Sequence, residues 1–360
     1  MENTVSTQLN SAQLGRAPHN DKRALNSSPI STPKELKRQL PIDFQLRQQI
    51  EQQRNDIRAC IAGEDSRLLV ITGPCSLHDP QAALDYGQRL QQLQQAYQDK
   101  LLLVMRAYVE KPRTQVGWKG MAYDPDLQGK GDMAKGIARS RLLLLQLARL
   151  GLPLATEALN PLVMQYLDDL ISWTAIGART TESQTHREMV SHLSMPVGIK
   201  NSTDGSASNA INAMVAARHS HHTLGMDGNG QIAMLDTPGN ADTHLVLRGG
   251  HGLTNYDEQS VAQAVEQLQR SDCRTRVLVD CSHANANKQH RRQHAIAVDV
   301  AHQHRRNPGT ILGIMLESFL LEGRQDNIEP LAYGQSITDP CISWEQTEAL
   351  LQAVYQVLAP

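Results

Sequence analysis

The stretch LLVITGPCSLHDPQAALDYGQRLQQLQQAYQDKLLLVMRA, residues 68–107, contains the repeating unit of the fold. It begins and ends with short, almost entirely apolar runs, 68–72 and 101–107, which predict buried β-strands. Between them, Asp79-Pro80 supplies a helix cap and a first-turn proline, and apolar residues follow at steps of three and four from Ala83 to Tyr97. A strand, a helix and a second strand in succession predict a parallel pair joined by a helical crossover.

The same alternation continues to the end of the chain. Short apolar runs predict eight strands, at 68–72, 101–107, 154–157, 175–178, 197–200, 245–247, 277–280 and 311–316. Helical spacing follows them, and beyond the first helix it covers 133–149, 160–170, 181–193, 206–218, 257–270, 286–305 and 344–358. Eight strand–helix units on the scale of about 250 residues favour an α/β fold of the (β/α)8 barrel type, the TIM barrel. An open doubly wound sheet is the alternative architecture.

Two segments fall outside this repeat. Residues 1–43 are rich in Ser, Thr, Asn, Gln and Pro and predict a mobile polar extension, which leaves 44–360 as the barrel domain. That domain opens with a helix over 44–61, stopped by Gly63, which we expect on the surface. The sequence MDGNGQ, between two short apolar runs, predicts an inserted β-hairpin at about 222–240.

Composition excludes several classes of partner. The formal net charge is −2, and the chain has only 3 Trp, 8 Tyr and 2 Phe, so we expect no nucleic-acid binding. No apolar run approaches the ~20 residues that span a bilayer, and the first residues do not resemble a signal peptide, so we expect a cytoplasmic protein without membrane contact. The 5 cysteines are an odd number, which argues against a disulfide framework.

Positive side chains stand at or just beyond the carboxyl ends of the predicted strands, where barrel enzymes carry their chemistry. They are Arg106, Lys111, Arg113, Arg179, Lys200 and Arg248. Together they would repel one another unless an anion lay between them, so we expect a multiply anionic ligand such as a phosphorylated carboxylic acid. The alternative for each is a structural pairing with Asp or Glu.

A second group of strand-end residues predicts a metal site. Cys75 follows the first strand, His283 the seventh, and Glu317 and Asp339 the eighth, and these strands are neighbours in a closed barrel. One thiolate, one imidazole and two carboxylates suit one divalent ion of Mn, Fe, Co or Zn. The alternative is that Cys75 is a small core residue and His283 a capping or core histidine.

The motifs that carry these residues resemble a known family. They are GPCSLHDP (73–80), EKPRT with GWKG (110–120), SWTAIGARTTESQTHRE (172–188), KNSTDG (200–205), LRGG (247–250), DCSHAN (280–285) and YGQSITDPCISWE (333–345). From about Phe44 onward the chain is similar to the enterobacterial-type class I 3-deoxy-D-arabino-heptulosonate 7-phosphate (DAHP) synthases. The resemblance implies a (β/α)8 barrel that condenses phosphoenolpyruvate with erythrose 4-phosphate, using a divalent metal held by the four ligands named above.

The resemblance also implies roles for individual residues. The expected phosphoenolpyruvate contacts are Arg106, Lys111, Gly177, Ala178, Arg179, Lys200 and Arg248; those for erythrose 4-phosphate are Lys111, Arg113, Thr114 and Asp339. Glu157 and Lys200 are expected to hold the attacking water, and Lys111 to donate a proton. Ala158, Met164 and Ser194 fall in the region of the family's aromatic amino acid effector site. Family analogy further implies a homodimer or homotetramer.

Two other functions remain open at this stage. One is the sister reaction, in which phosphoenolpyruvate condenses with a five-carbon aldose phosphate to give 3-deoxy-D-manno-octulosonate 8-phosphate. The other is a catalytically silent scaffold built on the barrel. The sequence leaves the identity of the metal and of the effector undecided. Ser202 stands where the family usually has Gly, so the backbone there is strained if that position needs a positive φ.

Overall fold

Eight parallel strands close into a barrel in a computed structural model of the chain, which describes residues 27–359. The strands of the described part are β1 (Leu68–Gly73), β2 (Leu101–Arg106), β3 (Leu154–Glu157), β4 (Trp173–Ile176), β5 (Val197–Lys200), β6 (His221–Met226), β7 (Ile232–Thr237), β8 (Thr243–Leu247), β9 (Val277–Asp280) and β10 (Ile311–Glu317). Around the barrel the order is β1–β10–β9–β8–β5–β4–β3–β2, and β2 pairs with β1. The predicted barrel is confirmed, and the open sheet is excluded.

Helices follow the barrel strands as the alternation predicts. They are α1 (Pro33–Gln39), α2 (Phe44–Ala62), α3 (Pro80–Tyr97), α4 (Met133–Ala148), α5 (Pro161–Met164), α6 (Gln184–His192), α7 (Ser208–Ala217), α8 (Glu258–Arg270), α9 (Gln293–Arg306) and α10 (Trp344–Leu358). Asp79 caps α3 by accepting from the backbone N–H groups of Gln81 and Ala82, and Pro80 begins it. No described helix combines the length and the apolar character that crossing a membrane requires.

The helix predicted over 160–170 is shorter than expected. It breaks into α5 and a 3-10 turn at Asp168–Leu170. The buried guanidinium of Arg54 donates to the backbone carbonyls of Asp168, at 2.7 Å, and of Ile171, at 2.9–3.0 Å. These carbonyls accept hydrogen bonds from a side chain that is distant in sequence. The backbone around the turn is therefore held by a tertiary contact that the spacing of apolar residues does not reveal.

Helix α2 closes the amino-terminal end of the barrel, so the expectation of a surface helix is wrong. Ile57 and Cys60 are fully buried and belong to the same apolar cluster as the inward-facing strand residues Leu69 and Leu102. Arg276, the residue before β9, donates to the Cys60 carbonyl at 2.8 Å. The last turns of α2 therefore fill the end of the barrel opposite the strand carboxyl ends.

The predicted mobile extension, 1–43, is wrong in its last part. Residues 33–39 form α1, which Thr32 and Glu35 cap reciprocally. The α1 backbone is tied to the hairpin, because the Lys34 N–H donates to the Gly228 carbonyl at 3.0 Å. Residues 1–26 of the extension lie outside the described residues. The hairpin itself is confirmed as the antiparallel pair β6–β7.

Side chains alternate along each barrel strand, and this alternation decides what reaches the mouth. Leu102 and Val104 of β2 lie in the inner apolar cluster, so Arg106 is the next inward position. By the same alternation of side chains, Glu157 is the next inward residue after Ala155 on β3. The deeper inward positions are apolar or aromatic, whereas the last ones are charged. The barrel therefore has a dry lower half and a polar mouth.

A substitution at Gly198 would test how tightly the lower half of the barrel is packed. An added Cβ at Gly198 would lie 2.2 Å from Cζ2 of Trp173, a fully buried ring. We expect Gly198→Ala to lower the free energy of unfolding by about 1–3 kcal/mol, measured by urea denaturation. Gly309→Ala is the matched control, since among the described residues an added Cβ there would approach only an Asn307 side-chain oxygen, at 3.5 Å. Equal stability of the two variants would contradict this packing.

Candidate active site

The strand carboxyl ends surround one cavity of about 460 Å³. Of the residues predicted for substrate binding or catalysis, those that line it are Arg106, Lys111, Arg113, Thr114, Glu157, Gly177, Ala178, Arg179, Lys200, Arg248 and Asp339, and the predicted ligand His283 lines it too. Cys75 and Glu317, the other two predicted metal ligands, are buried, with 0% and 2% of their surface exposed. The folded chain thus gathers into one region residues that are up to 264 positions apart.

Three of the four predicted metal ligands form a tight group. The donor atoms of Cys75, Glu317 and Asp339 all lie within 4.8 Å of one another. The Cys75 thiol faces Asp339 Oδ2 at 3.5 Å, and the Asp339 N–H donates to the Cys75 sulfur at 3.3 Å. Strand register explains the grouping, because Gly73 of β1 pairs directly with Glu317 of β10.

His283 lines the cavity but lies outside that 4.8 Å group. Its Nδ1 is 2.9 Å from Asp280 Oδ2 and 2.7 Å from Ser282 Oγ, which leaves Nε2 as the ring nitrogen that could bind a metal. The residue has a φ of 52°, in the left-handed region that a histidine rarely adopts. Such strain at a cavity-lining residue is typical of a position that is held for a function.

The donor set fits a divalent cation. Burial first, and then the charge of Glu317, raise the pKa of the Cys75 thiol to about 12. Two basic groups also lie beside the acidic ones: Lys111 Nζ is 3.2 Å from the Cys75 sulfur, and Arg106 is 3.3 Å from Glu317. A buried thiol and a buried carboxylate, with the exposed carboxylate of Asp339 beside them, require nearby positive charge when they ionise, and a soft-to-borderline metal ion would provide it.

The cations of the mouth divide into two classes. Arg106 pairs with Glu317, and Lys200 pairs with Asp280 at 2.9 Å. By contrast, no ion pair with a carboxylate of the described residues forms at Arg113, Arg179 or Arg248. Structural pairing therefore accounts for only part of the set. The remaining positive charge faces the cavity, which suits it to an anion.

Two residues that the sequence analysis left without a role shape the site. Tyr108 lines the cavity, and its ring centre lies 4.0 Å from the Arg106 guanidinium carbon, a cation–π distance. Its buried hydroxyl has no hydrogen-bond partner among the described residues. Asp280 is fully buried, and although burial raises its pKa, His283, when its ring is protonated, and Lys200 outweigh this and hold the pKa well below the usual range. Both residues continue the inward parity of their strands, which is the signal that could have identified them.

Gly177 has no room for a side chain. A Cβ at this position would lie 2.2 Å from Oε1 of Glu157, so the glycine leaves room for that carboxylate in the cavity wall. The expected strain at Ser202 is absent, because its φ is not among the positive values that the described residues show. Instead its N–H donates to the Ser206 carbonyl at 3.1 Å in a local turn.

Of the predicted effector region, Ala158 and Met164 lie beyond the carboxyl end of β3, whereas Ser194 precedes β5 at the opposite end of the barrel. Ala158 and Met164 are buried in the apolar layer between barrel and helices. Ser194 is exposed, and its hydroxyl accepts from Arg54 at 3.1 Å. The loop between β2 and α4, residues 107–132, is called the cavity loop. Asn160, which caps α5, is hydrogen-bonded to this loop, because its amide donates to the Tyr123 hydroxyl at 3.1 Å.

Glu110, which lies on the cavity loop, is hydrogen-bonded both to Tyr123 of that loop and to Asn160. The Tyr123 hydroxyl donates to its Oε1 at 3.2 Å, and the Asn160 N–H donates to its Oε2 at 3.4 Å. Burial raises the pKa of Glu110 to about 8, and the two hydrogen bonds only partly offset this. The carboxyl next to Lys111 is therefore protonated over most of the physiological range.

Comparison with known proteins identifies relatives of this barrel. A family model described as the DAHP synthetase I family matches residues 42–352. The chain is 51% identical over 332 residues to the Tyr-sensitive phospho-2-dehydro-3-deoxyheptonate aldolase of Escherichia coli K12, covering 91% of this chain and 93% of the relative. It is 49% identical over 325 residues to the Trp-sensitive enzyme of the same strain, covering 90% and 93%.

A solved structure agrees with these relatives. The phospho-2-dehydro-3-deoxyheptonate aldolase of Francisella tularensis SCHU S4 superposes with a TM-score of 0.91 at 38% identity, covering 92% of this chain and 98% of that one. The similarity therefore extends over the barrel and its flanking elements, and not over the motifs alone.

The buried carboxyl of Glu110 predicts a dependence of stability on pH. Its pKa is near 8 in the folded protein and about 4.3 in an unfolded chain, so between these values the folded state holds one extra proton. Raising the pH through this window therefore favours unfolding, by about 1.4 kcal/mol per pH unit from this group. We expect Glu110→Gln to flatten the fall in stability between pH 5.5 and pH 8, measured by urea denaturation.

The exposed Glu64 provides the matched control for that experiment. Glu64→Gln is expected to leave the pH dependence as in the parent protein. If Glu110→Gln and the parent lose stability in parallel from pH 5.5 to pH 8, Glu110 does not hold the extra proton.

Proposed function

The chain belongs to the DAHP synthetase I family, and from this premise we propose that it is a 3-deoxy-7-phosphoheptulonate synthase. It condenses phosphoenolpyruvate with D-erythrose 4-phosphate to give DAHP and inorganic phosphate, the first step of the shikimate pathway to the aromatic amino acids. The observation that carries the proposal is one cavity in which cations that pair with no carboxylate of residues 27–359 adjoin the group Cys75, Glu317 and Asp339.

Phosphoenolpyruvate is the substrate that the inner cations suit. It carries a phosphate and a carboxylate, and guanidinium groups match both bidentately. Arg179 and Arg248 offer charge that no described carboxylate takes up, while Lys200 is held at the cavity wall by Asp280. Gly177 and Ala178 bring backbone to the same wall. Holding this anion in one orientation accelerates the reaction, because the two substrates then react in a fixed geometry and not by a chance collision in solution.

The outer end of the cavity suits the second phosphate. Arg113 and Thr114 lie on the loop that follows β2 and are exposed, at the side where an acceptor would enter. Lys111, on the same loop, is buried and reaches the Cys75 sulfur. The loop therefore offers a guanidinium and a hydroxyl to the phosphate of erythrose 4-phosphate, with Lys111 nearer to its aldehyde end.

Cys75, Glu317 and Asp339, joined by His283, would hold one divalent ion. When bound, such an ion acts as a Lewis acid that polarises the aldehyde oxygen. Asp339 also belongs to the predicted erythrose 4-phosphate contacts, consistent with its place at both the donor group and the cavity wall. The identity of the metal among Mn, Fe, Co and Zn is not decided by this mixed set.

The chain's own residues move the protons. Lys111 lies beside the metal donors, 3.2 Å from the Cys75 sulfur, where it can donate a proton to the alkoxide that forms from the aldehyde. Glu157 and Lys200 line the same cavity and hold the water that attacks C2 of the phosphoenolpyruvate unit. Phosphate then leaves from the tetrahedral carbon, held by the arginines that bound it.

Regulation by an aromatic amino acid is part of the proposal. The two Escherichia coli relatives are named for sensitivity to tyrosine and to tryptophan. Ala158 and Met164 flank the segment whose Asn160 is hydrogen-bonded to the Tyr123 and Glu110 side of the cavity loop. An effector held near Ala158 or Met164 would therefore adjoin a hydrogen-bonded route to Lys111, whereas one held at Ser194 would lie at the other end of the barrel, against Arg54. Assembly as a homodimer or homotetramer stays a prediction from the resemblance.

The phosphate-release assay tests the proposal and its two alternatives. Chelator-stripped protein, restored with Mn²⁺, is expected to release phosphate from phosphoenolpyruvate with erythrose 4-phosphate and much more slowly with arabinose 5-phosphate. The reverse preference would favour the sister reaction, and no release with either aldehyde would favour the scaffold. Adding each aromatic amino acid in turn identifies the effector.

A single substitution tests the proton donor. Lys111→Met removes the ammonium group but keeps a long apolar side chain, and we expect kcat/KM to fall by about 10²–10⁴-fold. Lys119→Met is the matched control, because Lys119 is exposed on the same loop and lies outside the central cavity. Near-normal turnover in Lys111→Met, with unchanged KM values, would show that Lys111 is not the donor.

A further inference from the structure

Asp280 contacts two residues that line the cavity, Lys200 and His283. It is the last residue of β9 and is fully buried, and it stands at the inward position after Leu278. Its Oδ2 accepts from Lys200 Nζ at 2.9 Å and lies 2.9 Å from His283 Nδ1. One carboxylate thus contacts a residue proposed for phosphoenolpyruvate and another proposed for the metal.

Hydrogen positions in this cluster follow from counting donors. Asp280 Oδ1 accepts from the Ser282 hydroxyl at 2.7 Å, so the single hydroxyl proton is already used. Ser282 Oγ also lies 2.7 Å from His283 Nδ1, and it can therefore only accept there. Nδ1 must carry the proton, which leaves Nε2 with its lone pair free to bind a metal.

The backbone of His283 depends on the same cluster. Its φ of 52° is unfavourable for a histidine, and the residue keeps it because neighbouring contacts determine the loop. Asn285 donates from its amide to the carbonyls of Asp280, at 3.0 Å, and Leu247, at 3.1 Å. His283 is therefore held in place both through the backbone around it and through the Nδ1 atom of its ring.

We propose that Asp280 is a positioning residue shared by the metal site and the phosphoenolpyruvate site. It fixes the tautomer and orientation of His283, and it supplies the buried counter-charge that holds Lys200 at the cavity wall. The proposal rests on the proposed function, since it concerns the same metal and the same substrate. A carboxylate behind a metal-binding histidine typically changes metal affinity by about 10–100-fold.

Asp280→Asn tests both parts in one protein. The amide keeps the size of the side chain but removes its charge, so Lys200 is left buried without a counter-ion and His283 without an anionic acceptor. We expect Mn²⁺ affinity, measured by competition with a chelating dye on stripped protein, to fall by about 10–100-fold. Phosphoenolpyruvate affinity, measured by calorimetry on the same protein without metal, is also expected to fall by about tenfold or more.

Asp169→Asn is the matched control. Asp169 likewise faces a fully buried cation, Arg141 at 2.6 Å, but it does not line the cavity. We expect this variant to lose stability while keeping both affinities. A folded Asp280→Asn protein with parental affinity for Mn²⁺ or for phosphoenolpyruvate would overturn the shared role.

A milder variant keeps the proposal testable if Asp280→Asn does not fold. Ser282→Ala removes the hydroxyl that connects Asp280 to His283 and leaves Lys200 untouched. It should weaken Mn²⁺ binding several-fold and leave phosphoenolpyruvate binding unchanged, and the opposite pattern would contradict the cluster. Parental protein that releases no phosphate with either aldehyde would count against the proposed function, whereas equal affinities in parent and variant would count against Asp280 alone.

Discussion

The alternation of side chains along parallel strands in a closed barrel is the constraint on which the site depends. Each strand turns every second residue inward, so the last inward position of each strand opens onto the same mouth. Below it the inward residues are apolar or packed rings, such as Val104 and Trp173. At the mouth they are charged: Arg106, Glu157, Lys200, Arg248, Asp280 and Glu317. The charges at the strand ends are thus concentrated at one end of the barrel, and the loops that follow the strands add Cys75, Lys111 and Asp339 there.

Burying so many charges together is tolerable because they are arranged in opposite-sign contacts. Arg106 with Glu317 and Lys200 with Asp280 are ion pairs, and Lys111 contacts the Cys75 sulfur. Each acidic partner also makes a second interaction: Glu317 is a proposed metal ligand, and Asp280 contacts His283. Binding of metal and of anionic substrate would therefore redistribute charge among groups that are already close, and little reorganisation is needed at the moment of reaction.

Most of the barrel and of its site could be predicted from local patterns. Eight strands, the cap at Asp79 and the hairpin follow from periodicity and turn chemistry, and strand ends indicated the mouth residues. What could not be predicted depends on surfaces that exist only after closure. Helix α2 looks like a surface helix because its sequence is largely polar, yet Ile57 and Cys60 enter the barrel. Helix α1 is short and is held by contacts such as that of Lys34 with Gly228.

Which residue types stand at the strand ends can be read from the linear order of residues, because strand period and length are local properties of the chain. Their partners follow only from the folded barrel: Arg106 and Lys200 are paired while Arg179 and Arg248 face the cavity, and Asp280 joins His283 to Lys200. The reason is geometric. Strand closure sets the distances between residues far apart in sequence, and electrostatic interaction depends on those distances and on burial, neither of which a linear pattern contains.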